Sequence, residues 1–266
     1  MVKLFISTFG EKVEWINLKS VIPIEVGTLG RAKSTIHYEL TDESYDSISN
    51  LNPYFGELTG LYWIWKNYKF SEGDIIGFAH YNKILDIKLD KVEQLINNKQ
   101  IDWIVRDPVK MVSHDYKQDV EILENVLEKY YPSYYIVWKQ LYDSNGKSIT
   151  ENCVNCEMFF TSIEEFNSYC TFLFGALFEV YNIIGDVDRI PYHKRYCAFL
   201  GERLLSVYII KNNKRQYNVL IRDKTNVIIN FLRKGSRLLK LDRNSKLVKC
   251  VRKLVKNENR KSSYIK

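Results

Sequence analysis

The chain has 266 residues, 45% hydrophobic and 27% charged, enough for one large α/β domain with a short appendage; this composition excludes wholesale disorder, collagen and coiled coil. Its net charge of +7 hides a division: residues 211–266 hold 18 of the 39 Lys and Arg against only Asp223, Asp242 and Glu258. That segment carries +15 and leaves residues 1–210 at −8, an acidic body with a basic tail.

In chain order, residues 3–8 read as a short buried strand ending in a loop at Phe9-Gly10. Residues 21–26 contain Pro23, which confines them to a loop or an edge strand. Pro53 opens a helix at its first turn, and apolar positions 58, 61, 62, 64 and 65 predict a helix over 57–68 packed on more than one side. Residues 74–79 form an apolar strand with His80-Tyr81-Asn82-Lys83 at its C-terminal end, and 102–105 a second with Arg106-Asp107 at its end. An amphipathic helix follows over 119–129. Residues 158–161 are a strand, after which Ser162 and Glu165 form a capping box for a helix reaching Tyr181. A last helix spans 199–210, with Glu202-Arg203 near its start. Strands alternating with helices predict an open, mostly parallel sheet whose ligand crevice lies at the carboxyl ends of its strands.

No apolar run approaches the ~18 residues of a membrane span. The opening segment lacks the apolar core of a signal peptide, and five Cys is an odd count. The expectation is a cytoplasmic protein with reduced thiols. Cys153-x-x-Cys156 lacks the second pair of a structural zinc site and the strand–helix start of a redox motif, so two partly buried thiols are expected.

Residues 52–67, N-P-Y-F-G-E-L-T-G-L-Y-W-I-W-K-N, resemble a signature block of a bacterial capsular and exopolysaccharide glycosyltransferase family long catalogued as a domain of unknown function. Residues 76–84 (IGFAHYNKI), 157–170 (EMFFTSIEEFNSYC) and 195–205 (RYCAFLGERLL) resemble three further blocks in the family's order, and 5–8 and 23–27 fit its first strand and P-I-x-V-G segment. The likeness spans about residues 1–210. Departures are Asn82-Lys83 for a usual double arginine, Glu157 for a usual asparagine, and Phe9-Gly10 for a His-Lys after Thr8.

The resemblance implies a single GT-A-like domain over 1–215, followed by a basic helical tail over 216–266. It implies transfer of a hexose, a galactose form, from a UDP-sugar to a lipid-linked glycan acceptor in capsular, exo- or O-polysaccharide synthesis. Such chemistry needs a base for the acceptor hydroxyl and positive charge or a metal at the leaving diphosphate. The Asp-x-Asp that commonly holds the metal in this fold type is replaced by His80-Tyr81-Asn82. The diphosphate is therefore expected to meet His80, Lys83 and Arg203, with a divalent metal (Mn2+ or Mg2+) left open. Glu202 is the expected base and Arg203 a phosphate or carboxylate clamp; Thr8, Glu57, Tyr81, Asn82, Lys83 and Glu157 are the expected donor contacts.

Several residues keep two readings. Glu57 is a donor-sugar contact or a carboxylate favoured by a helix dipole. Tyr62, Trp63 and Trp65 stand at helical spacing and are assigned to packing. His114-Asp115 belong to an acceptor-side loop or a plain surface loop; Asp186-x-Asp188 is a weak metal candidate or a solvated turn; His37 and His193 have no evident partner. In the tail, Leu247, Val248, Val251, Leu254 and Val255 fall on one helical face and Lys246, Lys249, Arg252, Lys253 and Lys256 around the other. That pattern suits a helix on an anionic membrane surface, placing the protein at the inner face of the cell membrane. Docking of this helix on the acidic body is the rival. The alternative function is a non-catalytic, membrane-recruited scaffold of a polysaccharide-assembly complex. Nucleic acid is not expected as a partner, since the body is acidic and carries no motif for it.

Overall fold

A computed structural model describes residues 1–13, 20–29, 36–151, 153–154 and 156–223. Its strands are β1 (Val2–Thr8), β2 (Val21–Glu25), β3 (Ile75–His80), β4 (Lys83–Leu85), β5 (Trp103–Arg106), β6 (Phe159–Ser162), β7 (Gln216–Val219) and β8 (Ile221–Asp223). The helices are α1 (Asn52–Phe55), α2 (Leu58–Asn67), α3 (Leu89–Asn97), α4 (Lys117–Tyr130), α5 (Pro132–Leu141), α6 (Ile163–Ile184), α7 (Pro191–Lys194) and α8 (Tyr196–Lys211).

The sheet order is β2-β1-β3-β6-β5-β7, with β4 and β8 added beside β3. β1, β2, β3, β5 and β7 share one direction, β6 runs against its neighbours β3 and β5, and the short β4 runs against β3 and β8. The expected mostly parallel α/β sheet is thus present, with β6 reversed near its centre and the short β4 reversed at its side. Because β6 is reversed, its N-terminal end lies at the same sheet edge as the carboxyl ends of β1, β3 and β5. The chain also steps from β1 outward to β2 and then back across to β3, so the strand order switches between the ends of β1 and β3. In open α/β sheets that point leaves a crevice for ligand.

Both sheet faces are covered, which is why the strands read as continuous apolar runs. Phe5, Ile76, Phe78, Trp103, Val105 and Phe159 pack under α2, α4, α5, α6 and α8. Leu4, Ile6, Ile75, Ala79, Ile104 and Phe160 face α3 and the β4–β8 side. Alternate residues of one strand therefore serve opposite layers. Gly77 lies where β3 crosses β6, and a Cβ there would overlap the Phe160 ring.

α6 begins as expected, with the Glu165 backbone N–H donating to Ser162 Oγ at 3.3 Å. The reciprocal half of the capping box is missing, because the Glu165 carboxylate instead accepts from Trp103 Nε1 and Lys214 Nζ. Two boundaries move. β7 and β8 lie in the segment assigned to the tail, yet they pair with β5 and β4, so the body runs to at least Asp223 rather than ending at 215. α8 starts at Tyr196, three residues earlier than periodicity suggested, which places Glu202 and Arg203 in its second turn rather than at its start. Residues 246–256, the proposed membrane helix, lie outside the described residues. Among the described residues no helix is long and apolar enough to cross a membrane.

Candidate active site

Two strand ends, one reversed strand start and two helix starts converge on the switch point. β3 delivers His80, and β5 delivers Arg106. The residues just before β6 deliver Cys156 and Glu157. Glu57 immediately precedes α2, Arg195 occupies the N-cap position of α8, and Glu202 projects from its second turn. Arg195 Nη2 donates to Glu57 Oε2 at 2.5 Å, an ion pair joining residues 138 apart. Glu57 is buried while Arg195 is about a third exposed, so the pair closes the pocket from the solvent side. Gly56 has φ of +53°, and a Cβ on it would sit 2.7 Å from Arg195 Nη2. A glycine meets both the backbone angle and the close approach of the guanidinium.

Burial governs the protonation states. It lowers the pKa of His80, Lys83, Arg195 and Arg106 press it further down, and only Glu57 opposes them. Near neutral pH His80 is an uncharged imidazole, with Nε2 3.8 Å from Cys156 Sγ. Burial, reinforced by the Glu57 charge, pushes the Glu202 carboxyl up to about 7, while Arg203, Arg195 and Arg106 pull the other way. Glu157 is pushed up to about 8, mainly by burial. The Tyr169 hydroxyl, which donates to Glu157 Oε1 at 2.7 Å, offsets part of that rise. Burial also pushes the Cys156 thiol up to about 12, which leaves it protonated and inert rather than redox-active.

Three buried polar atoms of this cluster have no hydrogen-bond partner among the described residues: Arg106 Nε, Arg195 Nε and Glu157 Oε2. Each such group costs about 1–3 kcal/mol when left unmade. Two guanidinium donors and one carboxyl oxygen are thus buried and unpaired at the switch point, a cost that a polar ligand reaching them would relieve.

The expected site residues divide. Glu57, His80, Lys83, Glu157 and Glu202 are brought together. Tyr81 and Asn82 form the two-residue turn between β3 and β4, opposite the His80–Lys83 pair. The Tyr81 ring packs against the second core cluster. Thr8 lies at the end of β1, but its hydroxyl donates to the backbone and carboxylate of Glu11 and so holds its own loop.

Two expectations are corrected. Arg203 is not a free phosphate clamp: Nε donates to Gly146 O, Nη1 to Phe199 O and Nη2 to Val112 O. Its guanidinium is buried and fixes the loops around 112 and 146 to α8. His80, being neutral, adds no positive charge for a diphosphate. The cations standing beside His80 are Lys83, Arg106 and Arg195. Arg195 opens one of the blocks that carry the family resemblance and was assigned no role, because its partner Glu57 lies in a different block.

The tryptophan-rich block is structural, as expected. Trp63 Nε1 donates to Ser44 O, the Tyr62 hydroxyl to Asp46, and Trp65 stacks on Phe174. Asn52 of the same block holds Gly56 O and Thr59 Oγ1, and Thr59 in turn donates to the buried Asp42. Asp186 is bound by Lys194. Cys153 and Cys156 are both free and buried. Among the described residues no three His, Cys, Asp or Glu side chains are grouped to hold a metal ion.

A covered, mostly parallel α/β sheet with charged side chains gathered at its strand-order switch is an architecture that takes ligand at that point. The fold matches the apo structure of WbbM, a bifunctional glycosyltransferase, with a TM-score of 0.67 and 23% identity. The match covers 85% of this chain but only 45% of that one, so this chain spans less than half the length of its structural relative. Residues 5–214 match the family described as domain of unknown function DUF4422, and the chain belongs to it. No curated protein matches the sequence.

Proposed function

We propose that this protein is a glycosyltransferase that moves a hexose, a galactose form, from a UDP-sugar to a lipid-linked glycan acceptor in surface-polysaccharide synthesis. The observation that carries the reading is the pair of buried, unsatisfied guanidinium Nε donors, Arg106 and Arg195, beside two carboxyls whose pKa values are raised toward neutrality. In this reading Arg106, Arg195 and Lys83 hold the diphosphate and take up the charge that develops on it as it leaves. Glu202, with a pKa near the working pH, accepts the acceptor hydroxyl's proton as that oxygen bonds to the anomeric carbon and the bond to the diphosphate breaks. Glu157, protonated near pH 7, donates a hydrogen bond to the sugar. The basic, amphipathic pattern of residues 246–256 supports a membrane-surface location near a lipid-linked acceptor.

The test is binding of UDP and hydrolysis or transfer of UDP-hexoses by the purified full chain, with and without Mn2+, beside the Glu202→Gln variant. UDP binding in both proteins with turnover lost only in the variant supports the assignment. Absence of binding and turnover for every UDP-hexose refutes it.

A further inference from the structure

Outside the charged pocket, the structure builds a second feature on the rim formed by α7 and the loop 107–116. Tyr192 is 58% exposed, and Ile190, just before α7, is 62% exposed. An exposed tyrosine is commonly mobile, but this ring is held. It packs on Phe199 at 5.1 Å between centroids with a 50° tilt, and edge-on to His193 at 5.3 Å. His193 Nδ1 lies 3.1 Å from Asp115 Oδ2 on the facing loop, and the Tyr116 ring packs edge-on to His193. The base of the feature is pinned by Arg189. Its guanidinium makes a two-point bond to Asp119 at 2.7 and 2.9 Å and lies 3.7 Å over the Tyr116 ring.

This rim is continuous with the pocket. Phe199, which supports Tyr192, also lies 5.7 Å from the Arg195 guanidinium carbon. One ring therefore separates the exposed tyrosine from the Glu57–Arg195 pair. The Phe199 ring also meets His114, whose side chain is 3% exposed and whose Nε2 has no hydrogen-bond partner among the described residues. A rigid aromatic face beside an imidazole–carboxylate pair has the chemistry of carbohydrate recognition. The electron-rich ring face attracts the polarised C–H face of a pyranose, and the His–Asp pair offers a donor and acceptors to its hydroxyls.

We propose that Tyr192, with His193 and Asp115, forms the subsite for the acceptor sugar, deepening the glycosyltransferase reading on which it rests. The Arg106–Arg195 pocket holds the donor, and the Tyr192 rim presents the acceptor hydroxyl to it from one side of Arg195. The occupant is a hexopyranose of the acceptor glycan rather than a nucleotide, because Arg189 and Lys194, the cations flanking α7, are already paired with Asp119 and Asp186. The fixed ring also keeps the entropy cost of binding low.

The experiment is saturation-transfer NMR on the full chain with octyl glucoside, octyl galactoside and octyl N-acetylglucosaminide below their micellar concentrations, with UDP binding measured on the same samples. Wild type and Tyr192→Phe are expected to give sugar C–H signals for at least one probe. Tyr192→Ala is expected to reduce them at least fivefold, and Asp115→Asn severalfold, with UDP affinity unchanged within twofold. Sugar signals equal in Tyr192→Ala and wild type, or absent for all three probes while UDP binds, overturn the subsite and leave the donor reading standing. Loss of UDP binding in wild type instead overturns the reading beneath it. A change in oligomeric state in Tyr192→Ala with unchanged sugar signals makes the rim an interface between copies and also overturns the proposal.

Discussion

Replacing Glu157 by Gln tests the electrostatics of the pocket without disturbing its shape. The amide keeps an acceptor for the Tyr169 hydroxyl and puts N–H donors where the protonated carboxyl has its O–H. In the folded chain Glu157 titrates near 8, against an ordinary value of 4.5. Below 4.5 both folded and unfolded chains hold the proton, so the group has no effect on stability. Between 4.5 and about 8 the folded chain holds a proton that the unfolded chain has released, and stability falls as pH rises. At ~1.4 kcal/mol per tenfold change in proton affinity, the whole window amounts to on the order of 5 kcal/mol. For a domain of this size that is roughly 10–20 °C in melting temperature. Glu202, raised to about 7, adds a smaller fall of the same sign, so the decisive quantity is the difference between proteins. Thermal melts at pH 5, 6, 7 and 8 should show wild type losing stability steadily, with the variant losing markedly less and surpassing it at pH 8. Parallel curves for the two proteins refute the assignment of Glu157 as a buried neutral acid.

Glu202→Gln should lower kcat by about 10²–10⁴. In wild type, kcat/KM should rise with pH through about 7 as Glu202 deprotonates; a profile flat from 6 to 8 argues against Glu202 as the base. Arg203→Met should cost on the order of 3 kcal/mol in urea denaturation, because three backbone carbonyls lose a charged donor, with UDP affinity of the folded protein little changed. Arg106→Gln should show the reverse, with a UDP dissociation constant about tenfold or more weaker at nearly unchanged stability; equal losses in both properties for the two variants would collapse the distinction between positioning and binding arginine. Gly77→Ala should destabilise by about 1–3 kcal/mol through its clash with Phe160, read from the denaturation midpoint.

The sheet was legible because its strands are buried on both faces and therefore spell continuous apolar runs that no surface element would carry. The short strands β4, β7 and β8 escaped because they have mixed faces and lie at the margin, where three or four residues give no periodicity. β7 and β8 were further hidden by the basic composition around them, which looked like the start of the tail. Helices α3 and α5 were missed for a similar reason: each buries only a narrow stripe, Val92, Leu95 and Ile96 in one and Trp138 with Leu141 in the other.

The site shows a different kind of limit. Each carboxylate in it was visible as a residue, yet which cation serves which anion is a property of the fold. Sequence adjacency joined Glu202 to Arg203, but on a helix consecutive residues point about 100° apart, so one turns to the pocket and the other to the loops at 112 and 146. The cation that meets Glu57 is Arg195, one helix away and 138 residues on. Arg195 and Arg203 stand eight residues apart on α8 with opposite employments. The first keeps Nε unsatisfied in the pocket, and the second has Nε, Nη1 and Nη2 all donating to backbone carbonyls. Hydrogen-bond satisfaction, which only the folded chain reveals, therefore separates the arginine built to meet a ligand from the one built to hold the frame.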